Sequence, residues 1–537
     1  MTNVPSNSYD QWLRKVTNSA LWAAYGDALG FTTEMANPET VQYRTGLAEV
    51  SSLIGWKRKI GGRYGVSVNL PSGCYSDDTQ LRLSVSRAIG HDGYFDVDSF
   101  AHIELPVWMS YQLGGGVGTN LAAKNLSKRS VGWANNFFKS KDSSYVKGGG
   151  NGAAMRIQPH VWGHPASSKS SGLIKNILVD TICTHGHPKA ILGALFHGYC
   201  LYFSMIEGSA PTPTSWFKFL ADFRQVPSII RDDSMLGLAW LPTWEEQAHT
   251  SFEKAWEQAI EEMRGDIAKI EQHLSSRGPR TYFNIVGELG CFLPQWRGTG
   301  TKTALLASAL VLIAEGRPKL CSQYAANALN SDTDTIGTMA SAIAGSLSEF
   351  PPSEQVLDSD YIAQESKKLA DIRFAKQAKI FVYPSINAWK PPVSNADSVY
   401  LKDNRLYMAG LGPIETKNVP VVDAQNGFCW EWVCTSFGQT LLVKRRVVPQ
   451  NGVPLFGIYK DIDKLCTPET VAAVPVKRTN EIPAKSLEEL KEMVTRGAFT
   501  PESIGRAILE ASNGEFRTER AMALAAFVAE FIGRKQR

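Results

Sequence analysis

Apolar residues recur at helical spacing through most of the first 380 residues, and this pattern constrains the fold more than any other feature of the chain. Near the N-terminus, Trp12, Val16 and Ala23 fall on one face of a helix, and the same period returns at residues 304–312. Such a face is typical of a helix that packs on a core. The pattern predicts an all-helical domain over residues 1–383, with Gly-rich and Asp-rich junctions between its helices.

The helical period ends at a Pro-rich stretch that includes Pro384, Pro391 and Pro392, where a domain boundary is expected. Beyond it, short runs alternate apolar and polar residues, as antiparallel strands do. A small β-rich module is therefore predicted over residues 399–475, including a strand at 453–459. The predicted fold class is mainly α, with the helical domain first and this module second.

The last part of the chain, residues 476–537, returns to helical signals. Ser486 and Glu489 have the spacing of a capping box, and Pro501 follows a threonine as at a helix start. Residues 521–532 are largely apolar. We therefore predict a C-terminal helical segment.

The composition of the chain excludes several functional classes. Its 537 residues exceed the size of one hydrophobic core, and 43% hydrophobic with 20% charged residues is the balance of a folded protein. A net charge of +4 does not indicate nucleic acid as the main partner. Without an N-terminal apolar segment or an 18-residue apolar run, a cytoplasmic protein with no membrane partner is expected. The eight cysteines are scattered and are expected to be free thiols.

Two acidic helix entrances carry the strongest chemical signal. Residues 76–79 read SDDT and residues 331–335 read SDTDT, and each run precedes an apolar helix. Helix capping would need only one such side chain, whereas each run offers two carboxylates and further hydroxyls. If the runs meet in space, their four carboxylates would repel one another unless cations balance them. Hard oxygen ligands of this kind suit Mg²⁺ or Mn²⁺.

A Gly-rich loop, GGGNG at residues 148–152, precedes a short apolar run. A flexible turn would explain the glycines, but glycines also permit close backbone approach, and N–H groups at a helix start favour anions. A diphosphate is therefore a candidate ligand. Further along, Cys183, His185 and His187 alternate without the second close pair of a zinc site, so zinc is not expected.

Five ordered motifs resemble those of the ADP-ribosylglycohydrolase family, whose members act on ADP-ribosyl-arginine or ADP-ribosyl-serine. The motifs are the SDDT and SDTDT runs, GNGAAMR at 150–156, THGHP at 184–188, and GDALG at 26–30 followed by Glu34. The chain departs from the common pattern at residues 330–331, where many members carry glycines, and in its long segment between Glu34 and Ser76. The resemblance implies an ADP-ribosylglycohydrolase-like helical fold for residues 1–383.

The resemblance also implies a centre of two Mg²⁺ ions, with Mn²⁺ as an alternative. The implied ligands of the first ion are the side chains of Ser76, Asp77, Asp78 and Asp334. Those of the second ion are the side chains of Glu34, Asp332, Asp334 and Thr335. Asp334 would bridge the two ions, and Glu34 or Asp78 would be the catalytic group that accepts a proton from the attacking water.

For ADP-ribose itself, the resemblance implies contacts from three loops of the helical domain. The implied substrate-binding residues are Gly116, Gly118, Thr119, Gly150, Asn151, Gly152, Met155 and His185. His187, which precedes a proline, is expected only to begin the next helix.

The expected activity is Mg²⁺-dependent hydrolysis of the N- or O-glycosidic bond between ADP-ribose and a modified protein or other macromolecule. Two alternatives remain open: a metal- and ADP-ribose-binding or structural protein without turnover, and an adaptor whose C-terminal modules bind protein or nucleic acid. Trp430, Trp432, Lys444 and Arg445 would suit such a partner, although a packed sheet would explain the tryptophans equally well. Residues 1–385 alone are expected to hydrolyse a small substrate.

Overall fold

The protein is described by a computed structural model in which two compact units are distinguished. The first unit comprises Met1–Arg224 and Glu253–Gly457, and the second comprises Gln225–Phe252 and Ile458–Arg537. The residues that the structure describes are 8–61, 65–141, 143–386, 388–418, 420–423, 427–448, 485–497, 499–511 and 520–528.

Helices make up most of the described residues up to 373, which confirms the predicted fold class. Many of them begin with proline in the first turn, where its missing N–H is not needed. The helices up to residue 224 are α1 (Tyr9–Phe31), α2 (Pro38–Thr45), α3 (Asp77–Arg87), α4 (Val97–Ser99), α5 (Leu105–Trp108), α6 (Val117–Leu126), α7 (Gln158–Trp162), α8 (Ser170–Thr184), α9 (Pro188–Glu207) and α10 (Pro213–Phe223). Those that follow are α11 (Val226–Asp232), α12 (Leu241–Ala248), α13 (Phe252–Glu271), α14 (Pro279–Glu288), α15 (Pro294–Arg297), α16 (Gly300–Ile313), α17 (Pro318–Asn327), α18 (Thr333–Leu347) and α19 (Ser359–Arg373).

Helices α1 and α18 form the most extensive helix contact among the described residues. Glycines allow their backbones to approach closely, because a Cβ at Gly26 would lie 2.3 Å from the Gly337 carbonyl oxygen. A Cβ at Gly30 would lie 2.5 Å from the Cα of Asp334. The end of α1 and the start of α18 are therefore fixed side by side.

Strands form two antiparallel sheets within the first unit. A hairpin of β1 (Trp56–Ile60) and β2 (Val66–Leu70) pairs Trp56 with Leu70. The larger sheet contains β3 (Val399–Lys402), β4 (Arg405–Met408), β5 (Gly412–Thr416), β6 (Val421–Asp423), β7 (Phe428–Thr435) and β8 (Thr440–Arg446). Its order is β3-β4-β5-β7-β6, and β8 also pairs with β7.

A hydrogen bond from a buried, ion-paired arginine connects the helices to the turn between β7 and β8. Arg87 in α3 pairs with Glu104 at 2.7 Å and donates to the side chain of Gln439, also at 2.7 Å. The Tyr383 hydroxyl donates to the same glutamate at 2.6 Å. The predicted domain boundary between residues 383 and 399 is thus a change of secondary structure inside one compact unit. Independent folding of residues 1–383 stays a prediction.

The second unit contains α11 and α12, and its C-terminal part forms a small helical core. Around α12, the Phe252 ring lies 5.4 Å from Trp240 and 5.0 Å from Trp244. Near the C-terminus, α20 (Leu487–Arg496) and α21 (Pro501–Ala511) pack with helical residues 520–528. The capping box is confirmed, since Ser486 N donates to Glu489 Oε2 at 2.6 Å. The strand predicted at 453–459 lies outside the described residues.

Helix α9 is long and apolar enough to cross a membrane by length and composition, but 72% of its apolar window is buried inside the protein. The His187 side chain accepts a hydrogen bond from Lys189 N at 3.1 Å, so it caps this helix as expected. Gly208 ends the helix in a left-handed conformation with φ of 67°. Burial in the core accounts for the apolar character of α9.

Replacing Gly30 with alanine should disturb the contact between α1 and α18, since the new Cβ would lie 2.4 Å from the Thr333 carbonyl oxygen. We expect the free energy of unfolding to fall by about 1–3 kcal/mol, as at other overpacked sites. Gly265 in α13 has open space around it, so Gly265→Ala is the control and should stabilise by up to about 1 kcal/mol. Urea unfolding measures both, and equal effects would contradict the close approach.

Candidate active site

A buried carboxylate from α1 organises the first acidic helix entrance. The two oxygens of Asp27 accept hydrogen bonds from the backbone N–H groups of Ser76 and Thr79, both at 2.9 Å. The Thr79 hydroxyl donates to the same carboxylate at 2.6 Å. Asp27 therefore caps α3 from another helix and satisfies N–H groups of its first turn. This role was not predicted, although an acidic residue on the apolar face of a helix is a signal for a buried partner.

The two acidic helix entrances meet at their first turns. Ser76 is the N-cap of α3 and accepts from Asp78 N, while Asp334 lies in the first turn of α18. The Thr335 hydroxyl is 3.5 Å from Asp78 Oδ1. The helix dipole favours carboxylates at both places. The fold thus brings together two runs that are about 250 residues apart in the sequence.

These acidic side chains form an acidic cluster of Glu34, Asp77, Asp78, Asp332 and Asp334. Burial raises the pKa of Asp77, Asp78 and Asp334 well above the usual range, and repulsion by neighbouring carboxylates raises it further. For Asp334, the neighbours responsible include Glu34 and Asp78. A cation in this place would stabilise the ionised forms.

An arginine buried beside the acidic cluster offsets part of its charge. The Arg82 guanidinium donates to the hydroxyls of Thr79 and Thr338 at 2.5 and 2.8 Å. It also opposes the rise in the pKa of Asp78 that burial causes. Asp78 Oδ2 nevertheless is buried without a hydrogen-bond partner, which is costly unless a cation or water satisfies it. Among the described residues, no three His, Cys, Asp or Glu side chains already converge as the ligands of a metal do.

Glu34 follows α1 on a loop that two arginines hold. Arg58 in β1 forms a salt bridge to Glu34 Oε2 at 3.2 Å, and the Glu34 side chain is 22% exposed. Arg44 donates to the backbone carbonyls of Thr32 and Glu34 at 3.1 and 2.9 Å. Burial raises the pKa of Glu34, and the Arg58 charge opposes that rise. Neither arginine was predicted, because both lie in the long segment that departs from the family pattern.

Two glycine loops meet around His185 and form a glycine cradle of Gly118, Thr119, Gly150, Gly152 and His185. A Cβ at Gly152 would lie 2.6 Å from Thr119 Oγ1 and 3.0 Å from His185 Cε1. Cβ atoms at Gly118 and Gly150 would lie 3.3 and 3.7 Å from His185 Nε2. A side chain at Gly152 would collide with its neighbours, and methyl groups at Gly118 and Gly150 would contact the imidazole, so the three glycines keep the space beside it open.

The remaining predicted binding residues surround the cradle. Gly116 is the N-cap of α6 and has open space around it. Met155 is buried, and its N–H donates to the Asn151 carbonyl at 3.2 Å. The Asn151 amide donates to Asp332 Oδ2 at 2.8 Å and to Thr303 at 3.1 Å. Asn151 therefore connects the glycine cradle to the acidic cluster.

Burial keeps the His185 ring neutral, and its hydrogen bonds determine which ring nitrogen carries the proton. Burial lowers the pKa of His185 to about 3. Its Nδ1 lies 2.7 Å from the Thr184 hydroxyl, whose oxygen also accepts from Arg156 at 2.9 Å. Among the described hydrogen bonds, the buried Thr184 proton has no acceptor except Nδ1, so the hydroxyl donates to Nδ1 and the ring proton resides on Nε2. His185 therefore presents its Nε2–H as a hydrogen-bond donor in the cradle.

The sequence suggested four side chains of the sheet for partner contacts. In the structure these side chains contact other residues of the first unit. Trp432 is 7% exposed and packs in a core cluster. Arg445 pairs with Glu431 at 2.6 Å, and Lys444 Nζ lies 5.8 Å from the half-buried Trp430 ring. Packing in the sheet, the alternative left open by the sequence, therefore explains the tryptophans.

Thr184→Val should release His185 from its single tautomer, because valine keeps the shape of threonine but cannot donate to Nδ1. We expect mixed ring-nitrogen signals for His185 in histidine-labelled ¹⁵N NMR spectra, where the unchanged protein shows Nε2–H alone. The lost hydrogen bond should lower the free energy of unfolding by about 1 kcal/mol. Thr184→Ser, which keeps the hydroxyl, is the control, and a valine variant with one unchanged tautomer would contradict the assignment.

Asp78→Asn should stabilise the protein in EDTA, because it removes one buried negative charge from the acidic cluster. The unfolded Asp78 ionises near pH 4, whereas the raised folded pKa resists ionisation, so this group lowers stability progressively as pH rises above 4. We expect a gain of roughly 1 kcal/mol or more at pH 7, since a tenfold change in an ionisation equilibrium corresponds to about 1.4 kcal/mol. Urea unfolding at pH 4 and pH 7 should show a smaller gain at pH 4; equal gains would count against charge repulsion.

A family-level comparison agrees with this arrangement of motifs. No curated protein matches the chain. Among solved structures, it is similar to one described as an ADP-ribosylglycohydrolase-related protein complex, with 17% identity, a TM-score of 0.43, and coverage of 68% of this chain and 100% of the other. That similarity is too low to support a conclusion by itself. The family model for ADP-ribosylglycohydrolase, a hydrolytic family, matches residues 9–378, which include the acidic cluster and the glycine cradle, and the chain therefore belongs to the ADP-ribosylglycohydrolase family.

Proposed function

We propose that this protein is a Mg²⁺-dependent ADP-ribosylhydrolase that cleaves the N- or O-glycosidic bond between ADP-ribose and a modified protein or other macromolecule. The observation that carries the proposal is the meeting of two acidic helix N-termini beside the glycine cradle. Hard oxygen ligands suit divalent cations, and backbone N–H groups of a glycine loop suit a diphosphate. The two features lie together, as the distal ribose and the adjoining diphosphate of ADP-ribose would require.

The acidic cluster has the donor set for two Mg²⁺ ions, with Mn²⁺ as an alternative. Its oxygens are carboxylates and hydroxyls, and the unpartnered Asp78 Oδ2 is a ligand atom that a cation would satisfy. We assign the first ion to Ser76, Asp77, Asp78 and Asp334. We assign the second ion to Glu34, Asp332, Asp334 and Thr335. When bound, such ions supply positive charge for the ribose hydroxyls and lower the pKa of a bound water.

Side chains of the protein would accept the proton, bind the diphosphate and stabilise the developing charge. Glu34 would accept a proton from the attacking water, and its raised pKa makes it a stronger base than an ordinary exposed glutamate. Asp78 is the second candidate for this role. His185 Nε2–H would donate to an oxygen of the diphosphate or the adjoining ribose, because it is neutral and faces the cradle. The carboxylates would also stabilise positive charge that develops on the sugar in an oxocarbenium-like transition state.

Asp334→Asn should lower the hydrolysis rate by roughly 100-fold or more, since the shared ligand would affect both ions and each 1.4 kcal/mol of lost stabilisation costs a factor of ten. Asp360 lies exposed in the first turn of α19, so Asp360→Asn is a matched control that should remain active. The measurement is release of ADP-ribose from arginine-linked and serine-linked peptides, with Mg²⁺ and with EDTA.

Each outcome of this assay bears on the proposal. Mg²⁺-dependent release that Asp334→Asn abolishes would support it and would identify the linkage. Equal rates for Asp334→Asn and the unchanged protein would overturn the two-ion assignment. ADP-ribose binding by calorimetry without release from either peptide would instead favour a binding protein without turnover.

A further inference from the structure

A hydrophobic cluster joins the larger sheet to the helical part of the first unit. It contains residues from the hairpin of β1 and β2, from the end of α1, from the loops that carry Cys74 and Leu113, and from β7 and β8. Its buried members are Phe31, Trp56, Ile60, Val68, Leu70, Cys74, Leu113, Trp432 and Leu442. We call this group the buttress cluster.

Several members of the buttress cluster adjoin site residues in the sequence. Phe31 precedes Glu34 by three residues, and Cys74 precedes Ser76 by two. The Leu113 carbonyl accepts a hydrogen bond from Asp77 N at 3.0 Å. Two of the segments that present the acidic cluster, those of Glu34 and of Asp77, are therefore anchored on one shared apolar surface.

The sheet contributes Trp432 and Leu442, which face each other across β7 and β8. Their neighbours Val433 and Leu441 are also buried and paired, but successive strand residues point to opposite faces of a sheet. Neither belongs to the buttress cluster. One face of the sheet thus supports the hairpin, and the other face packs elsewhere.

A chain of contacts leads from this face to Glu34. Trp56 is 4% exposed within the buttress cluster, and the guanidinium groups of Arg44 and Arg58 lie 5.4 and 5.8 Å from its ring. Arg58 also lies 4.2 Å from the Phe31 ring. The same two arginines hold the carboxylate and the backbone of Glu34.

We propose that the sheet of residues 399–446 is a positioning element of the active site, which holds the Glu34 loop through Trp56, Arg44 and Arg58. An isolated two-stranded hairpin is marginally stable in water, so β1 and β2 depend on the apolar face that Trp432 and Leu442 supply. The assignment of Glu34 as the proton acceptor rests on the proposed function, whereas the support of its loop does not. This role departs from the expectation that residues 1–385 are sufficient for hydrolysis.

A matched pair of substitutions tests the proposal in the full-length protein. Leu442→Ala and Leu441→Ala remove the same atoms from two side chains that are each 1% exposed, and both should lower the urea midpoint. Hydrogen–deuterium exchange of the peptide that contains Glu34, measured well below the unfolding transition, should rise several-fold in Leu442→Ala only. Equal exchange in the two variants would overturn the proposal.

Arg58→Gln tests the contact between Arg58 and Glu34 without changing a residue of the larger sheet. Arg58 packs on Phe31 and Trp56 and is only 21% exposed, so its loss should lower the urea midpoint. Exchange in the Glu34 peptide, measured well below that midpoint, should rise. Unchanged exchange would remove Arg58 from the proposal. If Leu442→Ala does not fold, Trp432→Phe replaces it, with Val433→Ala as the partner control on the opposite face.

The readouts separate this inference from the proposed function. In a hydrolysis assay, Leu442→Ala should lower kcat more than Leu441→Ala does, with a smaller change in KM. Exchange that changes as expected in a protein without hydrolase activity would support the buttress and overturn the proposed function. If the wild-type protein hydrolyses the substrate but the two leucine variants show equal exchange, the proposed function would be supported and the role of the buttress cluster would be overturned.

Discussion

The buried Asp27 carboxylate is the interaction on which the acidic cluster depends. It costs free energy to bury, and three hydrogen bonds from Ser76 and Thr79, together with the nearby Arg82 charge, offset part of that cost. Because Asp27 caps α3 from α1, the entrance of α3 is held against the first helix. The glycine contacts between α1 and α18 then bring Asp334 to the same place.

The site concentrates negative charge where a stable core would avoid it. Burial and mutual repulsion both disfavour ionised Asp77, Asp78 and Asp334, so the folded protein bears a local electrostatic cost. Helix dipoles and Arg82 reduce this cost without removing it. Such a concentration of perturbed carboxyl groups is typical of functional sites. Capping alone would require fewer acidic side chains than these two helix entrances carry.

Much of the fold and the composition of the site could be predicted from local patterns. Helical periodicity indicated a mainly helical region, although the hairpin of β1 and β2 within it was not predicted. The Pro-rich stretch indicated the change to strands, and Ser486 with Glu489 indicated a helix start. Five motifs identified the family and most residues of the cluster and the cradle. Arg58, Arg44 and the buried face of Trp432 could not be predicted in their roles. They act through contacts with residues far away or within a segment that no motif covers.

The sequence by itself determined which groups are available: the capping side chains, the glycines that permit close approach, and the carboxylates of two helix entrances. These features depend on neighbours within a few residues, so local rules suffice to identify them. Only the tertiary structure decided that Thr335 lies beside Asp78, that Thr184 and Arg156 fix the proton of His185, and that a distant sheet supports the Glu34 loop. Charge repulsion, hydrogen-bond satisfaction and apolar burial act between groups that meet in space, and their partners therefore depend on packing rather than on spacing along the chain.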